Sequence, residues 1–120
     1  MKLSDENKKQ IIQGLLEIFA RIADESYQRR VWAFAEGPEC DDFDETACLF
    51  FDIGDPVLED YKNFNISDHQ YALLSNFRNK FKAFSSNHPI PQEFISSDAW
   101  KEIQALAKEV LLAFNYRKEA

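Results

Sequence analysis

A chain of 120 residues and 14.0 kDa has the usual size of one domain and is long enough to bury a core without disulfides or a structural metal. With 45% hydrophobic residues, 11 Phe, 3 Gly and 4 Pro, it is too apolar for disorder and too poor in turn formers for a strand-rich sandwich. The net charge of -7 argues against a general binder of phosphate backbones, and two cysteines cannot make a disulfide framework.

The first helix is predicted to open near Ser4, with Asp5 and Glu6 at the positive end of the helix dipole. Ile11, Leu15, Ile18 and Ile22 recur at helical spacing, and Ile12, Leu16, Phe19 and Ala23 widen the stripe. Tyr27, Val31, Trp32 and Phe34 continue at three- and four-residue steps. The helix therefore runs to Ala35 or breaks around residues 24–26, and Gly37-Pro38 ends it either way. A second helix is expected over residues 42–53, capped by Asp41 or Asp42 and stopped by a left-handed Gly54. Asp55-Pro56 then reads as an N-cap followed by proline at the first helical position. The short helix it opens carries Val57, Leu58 and Tyr61 and ends near Phe64-Asn65.

Ser67-Asp68-His69-Gln70 fits a capping box, with Ile66 and Tyr71 at the two positions of a hydrophobic staple. The helix behind it shows Leu74, Phe77, Phe81 and Phe84 on one stripe and is stopped by Ser85-Ser86-Asn87. His88-Pro89-Ile90-Pro91 is extended or turning. A last helix starts within residues 96–98 and carries Trp100, Ile103, Ala107, Val110 and Phe114 in a strict rhythm. No segment reads as strongly for strand. The expected fold is all-α, one compact domain over residues 1–120 with about five helices around a Phe-rich core. No apolar run approaches the ~18–20 residues of a membrane span, and Met1 to Glu6 do not begin a secretion signal. A cytoplasmic protein is the expectation.

The acidity is local. Between residues 36 and 60 stand ten acids (Glu36, Glu39, Asp41, Asp42, Asp44, Glu45, Asp52, Asp55, Glu59, Asp60) and no Lys or Arg. The other 95 residues hold 11 acids and all 14 bases, so a segment of -10 sits on a body of +3. Dense charge blocks are usually disordered tails. This one is interleaved with Phe43, Leu49, Phe50, Phe51, Ile53, Val57 and Leu58, which are expected to pack, so it reads as an acidic face on folded structure. Trp32, beside Arg29-Arg30, is of the residue types that anchor interfaces and joins the face as a candidate, although burial is the ordinary expectation for it.

Catalytic signals are poor. Asp41-Asp42-Phe43-Asp44-Glu45 has a superficial likeness to the aspartate-rich helix of isoprenoid-processing enzymes but lacks a second metal motif and fails the Ca²⁺-loop rule. The pairs Asp42/Glu45 and Asp52/Asp55 have the spacing of all-α nucleotide pyrophosphohydrolases, although Gly54 and Pro56 are expected to break the helix around the second pair. Cys40 lies among Glu39, Asp41 and Asp42, which disfavour a thiolate, and Cys48 reads as a small core residue. His69 and His88 have no partner in sequence to orient a general base, and no glycine-rich phosphate loop exists. The chain is expected not to be an enzyme and to need no metal or cofactor.

The run from Cys48 to Tyr61, CLFFDIGDPVLEDY, followed by Ile66-Ser67-Asp68 and a Phe-rich helix, resembles small helical immunity proteins of bacterial contact-dependent growth inhibition systems. The similar stretch covers residues 43–84 and continues weakly into 100–116. The resemblance implies a cytoplasmic protein that binds and neutralises a cognate toxin domain, often a basic nuclease, without touching nucleic acid or membrane. Complementary charge suits such a partner, since it raises association rates and couples close pairs by about 1.5–7 kcal/mol. Two other readings use the same acids, a metal-dependent all-α hydrolase and an acidic scaffold or regulatory subunit. Monomer and dimer are both compatible with the stripes.

Overall fold

The computed structural model describes residues 4–33, 43–87 and 90–116. Helix α1 (Asp5–Ala23) starts where the Ser4 hydroxyl accepts from the Asn7 N–H at 3.1 Å, and it buries Leu15, Leu16, Ile18, Phe19 and Ile22. Gly14 lies inside it with nothing within 4 Å of where a Cβ would stand. Gly14→Ala should therefore stabilise the fold by about 0.5–1 kcal/mol, through lower chain entropy when unfolded. The measurement is the urea midpoint, which rises at unchanged slope.

Of the two courses the sequence allows after Ala23, the break is the one observed. Asp24 leaves the helical region (φ -104°, ψ 94°) and its carboxylate caps the next turn by accepting from the Tyr27 N–H at 3.1 Å. The one-turn α2 (Glu25–Tyr27) passes directly into a π-helical segment, Gln28–Ala33. Gln28 is fully buried at this junction. Its Nε2 donates to two carbonyls of the last turn of α1, that of Ile22 (2.6 Å) and that of Arg21 (2.8 Å), which also accepts from the Asp24 N–H at 3.2 Å. Its Oε1 accepts from Trp100 Nε1 (2.8 Å) and Gln104 Nε2 (3.1 Å).

Helix α3 (Phe43–Glu59) is continuous, which corrects the expectation of two helices divided at Gly54. Phe43, Thr46, Ala47, Phe50, Gly54 and Val57 are all buried, so the helical rhythm runs straight through the Gly-Asp-Pro sequence. Gly54 does not adopt the left-handed stop. A Cβ there would meet Phe50 Cζ at 3.5 Å and Leu15 Cδ1 at 3.7 Å, so the glycine lies where α3 packs on α1. Pro56 sits inside the last turns, and the Asp52 carbonyl that loses its intrahelical donor belongs to an exposed residue. Burial of the apolar stripe outweighs the local breakers.

The 3₁₀ turn Tyr61–Phe64 follows and closes at Asn65, a left-handed residue (φ 59°). Tyr61 stacks on Tyr71 at 4.2 Å and its hydroxyl donates to Asp68 Oδ1 at 3.0 Å. That hydrogen bond first, then partial burial and the carboxylate's charge, hold the phenol above its ordinary value of 10.0. Any stability this adds is present below the unfolded value and fades as pH rises through the folded one. In an ultraviolet titration the Tyr61 phenol should ionise later in the parent than in an Asp68→Asn variant.

Helix α4 (Asp68–Ser85) carries the expected capping box. The Ser67 hydroxyl accepts from the Gln70 N–H, and the Gln70 side chain accepts from the Ser67 N–H. Gln70 also donates from Nε2 to the Ala113 carbonyl at the end of the last helix. Beyond Ile90 the chain is not merely extended, because Pro91 opens a single turn, α5 (Pro91–Phe94). Helix α6 (Asp98–Ala113) starts at Ser97, which accepts from the Trp100 N–H at 3.2 Å.

The four long helices close a ring, α1 on α3, α3 on α4, α4 on α6 and α6 on α1. Of the short segments, α5 packs on the π-helical segment, and the 3₁₀ turn packs on α1 and α3. The fold is all-α, with no strand among the described residues and a single Phe-rich core. One half of that core is Phe19, Phe50, Phe77 and Phe81, in edge-on or stacked contact at 4.7–5.5 Å. The other half surrounds Phe43, whose ring lies 5.0–6.1 Å from those of Trp32, Phe81, Phe84, Phe94 and Trp100. No helix of the described residues is long and apolar enough to cross a membrane.

Candidate interaction face

The register that buries Phe43, Phe50 and Val57 turns the acids of α3 outward. At 100° per residue Glu45, Asp52 and Glu59 fall in one line along the opposite side, about 10.5 Å apart for each seven-residue step. All three are exposed, as are Asp44 and, just beyond the helix, Asp60. α3 carries five carboxylates and no Lys or Arg of its own. Asp60 also holds the following turn, since its Oδ1 accepts from Asn63 Nδ2 at 2.6 Å.

Asp55 belongs to the flank. It is half-buried and faces α4, where Arg78 Nε donates to its Oδ1 at 3.0 Å and Nη2 to its Oδ2 at 3.4 Å. The guanidinium also lies over the Phe51 ring, 5.9 Å from its centre. Hydrogen bonding to Asp55 raises the already high pKa of Arg78, so the guanidinium stays charged. Asp55 thus joins two helices and is a structural member of the acid set.

Glu36, Glu39, Asp41 and Asp42 lie outside the described residues, as do Cys40 and His88. Trp32 is corrected. It is 6% exposed and packs edge-on against Tyr27, Phe43 and Trp100, so it is a core residue and not an anchor presented to a partner. Its place on the π-helical segment turns it inward, toward the start of α3 and the start of α6.

Two further side chains depart from expectation in the other direction. Cys48 is an exposed free thiol, and Leu49 is 38% exposed, although both were expected to pack. They stand three and four residues from Glu45 and again from Asp52, which puts them on the acidic side of α3. That spacing was the available signal, masked by the apolar run Ala47-Cys48-Leu49-Phe50. The face therefore combines carboxylates with one apolar side chain and a thiol.

For metal chemistry, Asp52 and Asp55 do share one unbroken helix, so the expected break at Gly54 does not separate them. Asp55, however, is already engaged by Arg78. Among the described residues no three of His, Cys, Asp and Glu converge as a metal site would require. His69 is exposed in the first turn of α4. A groove of about 1180 Å³ opens between α1 and α6, lined by Glu17, Arg21, Asp24, Tyr27, Lys108 and Tyr116 among others, away from α3. The acidic face itself is the convex side of a helix, a shape for meeting a macromolecule and not for enclosing a small substrate.

No protein-family model, no curated protein and no solved structure matches this chain.

Proposed function

We propose that the chain is a cytoplasmic immunity protein of a bacterial contact-dependent growth inhibition system, and that the α3 face blocks a basic toxin domain. The observation that carries this reading is the exposed acid row of α3, which has no base on its own helix and rests on a well-packed body. A nuclease concentrates cations where it holds phosphates. Carboxylates placed there stop it by occupancy alone, with no chemistry required of the inhibitor. Leu49 supplies an apolar contact within a charged surround, an arrangement that protein interfaces use.

This reading expects a neighbouring gene for a large toxin with a nuclease-like C-terminal domain, and the test is to express that domain and measure its binding and killing. Binding is expected to be nanomolar or tighter and to weaken with salt. Reversing Asp44, Asp52 and Glu59 together to lysine should raise Kd by at least about 100-fold, for a loss of modest coupling at each site. Helicity and thermal unfolding should stay as in the parent, because none of the three is buried. Full protection by the triple variant would overturn the assignment of the face. Failure of the parent to bind the domain would overturn the function.

A further inference from the structure

We draw no further inference here: the strongest candidate, the notch between α4 and α6 where Leu112 stands 76% exposed beside His69, Leu73 and Ala113, is an apolar face and nothing in the structure shows what covers it.

Discussion

Phe43→Ala is expected to destabilise the protein by about 3–5 kcal/mol, the range for removing a buried aromatic ring. Against a typical total of about 5–15 kcal/mol, that is enough to leave a large unfolded fraction. The ring is 2% exposed and meets five other aromatic rings from the π-helical segment, α4, α5 and α6. Each well-oriented aromatic pair adds about 0.5–1.5 kcal/mol beyond burial, and the surrounding helices cannot all collapse into one void. Phe43→Leu, which keeps most of the volume, should cost less, about 1–2 kcal/mol. Urea unfolding followed by tryptophan fluorescence reads both, since Trp32 and Trp100 touch the ring. A loss below about 1 kcal/mol for the alanine variant would show that Phe43 is not at the centre of the core.

The second large effect belongs to a polar residue. Gln28→Leu keeps the size of the side chain but strips this partner from the Ile22 carbonyl, an indole N–H and the Gln104 amide, all at buried or half-buried positions, while the Arg21 carbonyl keeps the Asp24 N–H. A buried group left without a partner costs about 1–3 kcal/mol, and partial relaxation should bring the total to about 3–5 kcal/mol. Gln28→Glu is the sharper probe. The carboxylate can still accept from Trp100 and Gln104, but its second oxygen faces the Arg21 and Ile22 carbonyls, where only a donor fits. The introduced carboxyl should hold its proton more tightly when folded. Its folded pKa is then above the unfolded value of about 4.3, so the variant is relatively most stable in acid and loses stability as pH rises. Equal loss at pH 4 and pH 7 would contradict the donor assignment at Nε2.

Much of the helix plan could be read from short-range chemistry. The Ser67/Gln70 capping box and the rhythm of residues 100–110 depend on neighbours within a turn or two, and they appear as expected. Gln28 could not be read, because the groups that satisfy its Oε1 stand 72 and 76 residues further along the chain. Gly54 and Pro56 misled for the complementary reason. Their local preference for a boundary is about 1 and 3 kcal/mol respectively, whereas the stripe through Phe43, Phe50 and Val57 is settled by contacts with α1 and α4. The position of the acids on an exposed helix face followed from the same stripe once its register was fixed. Trp32 required the π-helical turn, for which the sequence carries no local mark.

The seven-residue spacing of Glu45, Asp52 and Glu59 has an evolutionary consequence. Their separation of about 10.5 Å exceeds the Debye length of about 8 Å at physiological ionic strength, so they repel one another little. Exposed substitutions of this kind shift stability by no more than about 0.5 kcal/mol. The surface can thus be rewritten, charge by charge, while the aromatic core stays untouched. A lineage could explore new charge patterns on this helix without first having to rescue its fold.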